Sequence, residues 1–173
     1  MNIREQLLLV HSKNNAENIA DYIGNDQTRF SELITQFTGD DPKVSGRAGM
    51  VLSKCADRHP ALIDSYLKEL ILNLKKPVSD AVKRNTVRIL QKADLPEELL
   101  GTAADILFSI MENRNEPVAV RVFTMTTLYN ICVKFPELAN ELKLLIEDQM
   151  PYGSTGFKNR GAKTLSKLSR LIK

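Results

Sequence analysis

Val44-Ser-Gly-Arg-Ala-Gly-Met-Val-Leu52, Val82-Lys-Arg-Asn-Thr-Val-Arg-Ile-Leu90, Val120-Arg-Val-Phe-Thr-Met-Thr-Thr-Leu128 and Phe157-Lys-Asn-Arg-Gly-Ala-Lys-Thr-Leu165 align without a gap. Their closing leucines stand 38, 38 and 37 residues apart. Two residues after each leucine come Lys54, Lys92, Asn130 and Lys167. A fixed period of this length marks stacked supersecondary units. Between these segments, His59-Pro60, Leu95-Pro96 and Phe135-Pro136 each open an apolar-periodic run. Proline suits the first helical position, where its missing N–H is not needed. Ten residues beyond each proline come Leu70, Ile106 and Ile146; four residues further come Leu74, Ile110 and Met150. A four-residue step keeps these side chains on one helical face. Lys76-Pro77, Glu116-Pro117 and Pro151-Tyr-Gly-Ser154 then break the run.

The unit therefore reads as helix, short turn, helix. The pairs fall at about 27–58, 60–93, 96–133 and 136–172. The first pair begins with the stripe Phe30, Leu33, Ile34 and Phe37 and turns at Asp40-Asp41-Pro42. Upstream, residues 3–10 and 14–23 read as one or two further helices within a capping segment 1–25. Val10, Ile19, Ala20 and Ile23 are expected to close the otherwise bare edge of the first pair, as stacked repeats require. Residues 26–173 and this cap are expected to form one domain.

Composition agrees with this reading. The chain has 173 residues, 43% apolar and 26% charged, which excludes disorder and collagen-like order. Only eight glycines and seven prolines argue against a turn-rich all-β domain, and no period-2 run is bounded by hairpin turns. Two cysteines, Cys55 and Cys132, cannot build a disulfide framework and have no paired spacing for zinc. They are expected as reduced thiols in helix cores. The short apolar run Leu7 to Val10 lacks the length and cleavage site of a signal peptide. No apolar run approaches the ~20 residues of a membrane span. The expectation is a soluble, cytoplasmic chain without a membrane contact.

These residues resemble the HEAT-repeat family, within the armadillo-like α-solenoids. The family's unit is an apolar helix, a turn carrying Asp-Pro and then Val-Arg, and a second helix rich in Ala and Leu. Pro117, Val118, Val120 and Arg121 match the turn best. Asp41-Pro42 and Val44 match it with Ser45 in the arginine's place; Val82-Lys83 and Phe157-Lys158 depart further. The resemblance spans about residues 27–172, and the chain also looks like small standalone bacterial members of the family. It implies an all-α, right-handed α-solenoid of about four helix pairs with an N-terminal helical cap. It also implies that the second helices line a concave side, and that function lies on a surface.

Charge is segregated between the two kinds of helix. Residues 155–173 carry Lys158, Arg160, Lys163, Lys167, Arg170 and Lys173 with no acid, and 81–93 carry Lys83, Arg84, Arg88 and Lys92 with no acid. The first helices of units three and four are acidic, with Glu97, Glu98, Asp105 and Glu112, then Glu137, Glu141, Glu147 and Asp148. Arg160, Lys163, Lys167 and Arg170 share one helical face. Aligned positions add Arg47, Lys54, Arg88 and Lys92. Arg47, Lys54, Arg88, Lys92, Arg160, Lys163 and Lys167 are the candidate partner-binding residues, acting as charges and hydrogen-bond donors. A positive groove suits an acidic protein segment. The alternative is a nucleic-acid backbone held by the same residues, as in the alkylation-repair DNA glycosylases, which resemble this chain in helix pairing. Those enzymes need aromatic residues and an acid in the cleft, and this chain has no Trp.

Other motifs carry less. Gly153-Ser-Thr-Gly156 lacks the Gly-Lys-Ser/Thr order of a phosphate loop. His11 and His59 form no i, i+4 ligand pair. The sequence thus points to a non-enzymatic adaptor for a protein partner, with no metal, cofactor or small-molecule substrate. Leu7-Leu8-Leu9 is a candidate edge for self-association.

Overall fold

The computed structural model describes residues 1–172. Among them it contains ten α-helices joined by short turns, and no strand. The helices are α1 (Ile3–Leu9), α2 (Lys13–Ile23), α3 (Gln27–Thr38), α4 (Pro42–Arg58), α5 (Leu67–Asn73), α6 (Asp80–Leu90), α7 (Glu97–Glu112), α8 (Val118–Lys134), α9 (Ala139–Gln149) and α10 (Thr155–Leu168). The chain divides into two compact units, one running to Ile89 and one starting at Leu90.

Local sequence explains where the helices start. Asn2, Ser12, Asp26, Asp41 and Ser154 accept a backbone N–H from the first turn of α1, α2, α3, α4 and α10. Each such cap contributes about 1 kcal/mol. Asp41 accepts from both Lys43 and Val44 (3.1 and 3.2 Å), and Pro42 fills the first position. The Val44 N–H holds the Asp41 carboxyl below the usual aspartate range, with Lys43 and Arg4 adding to the effect. Asp40-Asp41 is therefore turn and capping chemistry. Gly24 ends α2 with φ at 52°, a backbone region that side chains avoid.

The prolines differ from their expected role. Pro60 opens two successive 3₁₀ turns, Pro60–Leu62 and Asp64–Tyr66, and Pro136 opens one, so α5 begins only at Leu67 and α9 at Ala139. Pro96 and Pro117 sit one residue before α7 and α8. Proline fixes its own φ but pushes the preceding residue out of the helical region, so it marks an entrance without setting the first α-helical residue. The last helix stops at Leu168, short of the expected 172, and Lys173 lies outside the described residues.

In the first unit, α4 is the central helix and packs against α1, α2 and α3. Val44, Ala48, Val51, Leu52 and Cys55 of α4 and the stripe Phe30, Leu33, Ile34 and Phe37 of α3 are all buried. Ile19, Ala20 and Ile23 of α2 are buried as expected, but Val10 is 51% exposed. Ile3 and Leu7 of α1 take the place expected of Val10, because α1 ends at Leu9 and Val10 is already extended. In the second unit, α8 is central and packs against α7, α9 and α10. Its Val120, Met125, Leu128 and Ile131 are buried with Leu107, Leu142, Ile146 and Phe157. Leu70, Ile106 and Ile146, then Leu74 and Ile110, are all buried on the face read from the proline spacing, whereas Met150 is only half-buried, in the 3₁₀ turn after α9.

Candidate partner-binding face

The seven candidate residues occupy three different environments. Arg47 and Lys54 lie on α4 and are half-buried. Arg47 donates to the carbonyls of Leu7 and Leu8 (2.8 and 3.1 Å), satisfying the C-terminal carbonyls of α1. Lys54 pairs with Glu17 of α2; Arg58, one turn on, pairs with both Glu17 and Asp21. The Lys54 hydrogen bond holds the Glu17 carboxyl below the usual glutamate range. Arg88 of α6 reaches Asp57 of α4 at 2.7 Å. Lys54, Asp57, Arg84, Arg88 and His11 line one surface cleft of about 380 Å³, and the acid stands among the bases. Lys92 lies just after α6 beside Asp94, in a small cleft of about 220 Å³ with Asn130 and Lys134.

Arg160, Lys163 and Lys167 come together on α10, where they line a groove against α8 of about 570 Å³. Arg170 joins them, and Thr126 and Tyr129 supply the α8 wall. Arg160 donates to the Thr126 hydroxyl. The Lys167 ammonium stands 5.3 Å from the centre of the Tyr129 ring. No aspartate or glutamate lines this groove. Lys163 and Arg170 are exposed, and neither side chain makes an ion pair among the described residues.

One rule connects these environments. Within each unit, cations of a second helix reach back about one repeat along the chain. Lys54 reaches Glu17, Arg88 reaches Asp57, Lys134 reaches Asp94 (2.7 Å), and Arg160 reaches Thr126. The first three ties end on a carboxylate. The last ends on a neutral hydroxyl, so among the described residues this tie leaves the Arg160 charge without a carboxylate.

The sequence reading missed the acids of this pattern, yet their signal was present. Lys54 and Arg58 lie four residues apart, Glu17 and Asp21 lie four apart, and the two pairs are separated by 37 residues, the repeat period itself. It also missed a buried polar tie in the second unit. Arg121, 8% exposed, donates to the Gln149 side-chain oxygen and lies over the Phe157 ring at 4.4 Å. Gln149 in turn donates to the Met111 carbonyl at 2.9 Å. Burial lowers the Arg121 pKa from its ordinary value, with Arg114 repulsion adding to it.

Burial pushes both thiols, Cys55 and Cys132, up to about 12. Among the described residues no group of His, Cys, Asp and Glu is placed to hold a metal ion, and no helix is long and apolar enough to cross a membrane. His11 lies in the first unit's cleft, and His59 ends α4.

Paired helices repeated at a 38-residue period, with polar ties from each second helix to an earlier element, define a repeat protein of the α-solenoid class. The family described as HEAT repeat domain matches residues 3–168, and the chain belongs to it. The match begins at Ile3, so α1 and α2 lie inside it, whereas the resemblance drawn from the sequence began near residue 27. No curated protein and no solved structure gives a significant match. HEAT repeats are generally protein-interaction scaffolds, and the family is typically non-enzymatic.

Proposed function

We propose that this protein is a non-enzymatic, cytoplasmic adaptor that holds an acidic segment of a protein partner on the basic face of α10 and α8. The observation that carries this reading is the groove between them, which among the described residues is lined by four cations and no aspartate or glutamate. A cation already paired within its own chain must give up that pair before it binds a partner. Lys54 and Arg88 are paired in this way, and Arg47 caps a helix. They therefore serve the first unit's stability, while Arg160, Lys163, Lys167 and Arg170 serve the partner. A partner's carboxylates are drawn to unscreened positive charge, which speeds encounter and sets orientation.

A nucleic-acid backbone would feel the same charge. Single-strand binders add open aromatic platforms for the bases. Here the one ring in the groove, Tyr129, is already faced by Lys167. The protein reading is favoured on that ground.

The test is fluorescence anisotropy at low salt with a labelled decaglutamate peptide and a single-stranded oligonucleotide of equal charge. The wild type is expected to bind the peptide at least as tightly as the oligonucleotide, and Lys163→Glu/Lys167→Glu to lose at least tenfold. Equal peptide binding by the variant would remove this face from the account. A clear preference for the oligonucleotide would replace the protein partner with a nucleic acid.

A further inference from the structure

We infer that the segment held by the α8–α10 groove is an extended strand of about five residues with carboxylates at alternate positions; this rests on the adaptor reading above. The length of the cation row sets the first constraint. Arg160 to Arg170 runs along α10 to Leu168 and into the turn that follows, ten steps of about helical rise, or ~15 Å. An extended chain advances ~3.3 Å per residue, so about five residues cover that length. Alternation sets the second. Side chains at i, i+2 and i+4 of an extended segment face one way, spaced ~6.6 Å apart. Three such carboxylates span ~13 Å and fall within the row. Three consecutive acids span only ~7 Å and send the middle one to the opposite side.

The lining favours an extended occupant over a helix. A helix closes its own backbone hydrogen bonds, whereas an extended segment leaves N–H and C=O groups for the groove wall. The Ser166 hydroxyl, also on the lining, suits the polar backbone such a strand presents.

The experiment compares two labelled heptapeptides of the same composition, three aspartates and four serines. One has the aspartates alternating and the other has them consecutive. Both are titrated by anisotropy into the full chain and into Lys163→Gln/Arg170→Gln, exposed changes whose folding is checked by melting. The alternating peptide is expected to bind at least fivefold tighter than its isomer to the wild type, and the variant to lose that preference. Equal binding of the two peptides, with both weakened in the variant, would overturn the extended register while leaving the basic face as the binding site. Binding unchanged in the variant, or absent in the wild type, would overturn the register and the adaptor reading together.

Discussion

Gln149→Leu is expected to destabilise the second unit by ~3–4 kcal/mol. Arg121 is 8% exposed, and its terminal nitrogen has the Gln149 oxygen as acceptor. Its Nε has no hydrogen-bond partner, and the Phe157 ring covers one face. Leaving a buried charged group without its acceptor costs ~2–3 kcal/mol, in place of the bond's own net contribution. The lost bond from Gln149 to the Met111 carbonyl adds ~1 kcal/mol. For a chain of this size, ~2–4 °C per kcal/mol puts the fall in Tm near 10 °C. Adding Arg121→Met removes the stranded charge and places a thioether against Phe157. The double variant is therefore expected within ~1 kcal/mol of the wild type, since apolar replacement of a whole buried polar pair is often neutral. Thermal and urea melts followed by circular dichroism measure both. A loss under ~1 kcal/mol for Gln149→Leu alone would mean that water reaches Arg121, and would refute the reasoning.

Two further outcomes test the first unit. A Cβ on Gly49 would sit 2.6 Å from Nδ2 of Asn85, which is fixed by bonds to Ser53 and the Ala81 carbonyl (both 2.8 Å). Gly49→Ala is thus expected to destabilise by ~1–3 kcal/mol in a urea melt, the displaced buried amide outweighing the ~1 kcal/mol helix gain. Glu17 has its pKa lowered in the folded chain, chiefly by Lys54, so its contribution is present above the unfolded glutamate value and is lost as pH falls below about 4. Glu17→Gln is expected to flatten the acid limb of a melting-temperature profile, and an unchanged limb would remove the pair from acid stability.

Repetition made the fold legible. Each apolar stripe recurs at fixed phase, so the errors at Pro60, Pro136 and Val10 moved helix ends without moving a core face. Proline restricts its neighbours more than it starts an α-helix, which is why α5 begins seven residues after Pro60. The charged face was half legible. Helical phase brought Arg160, Lys163 and Lys167 together, and one groove collects them. Phase along one helix gives no information on what the neighbouring helix presents. Lys54 and Lys167 hold equivalent places in the repeat, yet one meets Glu17 and the other a tyrosine ring. Arg121 was visible as a family turn residue, but its burial depends on Gln149 and Phe157, 28 and 36 residues further on.

The central claim is that the basic residues of the second helices divide between structure and binding. Lys54→Gln and Lys163→Gln, each measured for urea stability and for affinity to the acidic peptide, test it most directly. The account predicts a crossed result: Lys54→Gln lowers stability measurably and leaves affinity unchanged, while Lys163→Gln leaves stability unchanged and weakens binding severalfold. Equal effects of the two substitutions on affinity would contradict it.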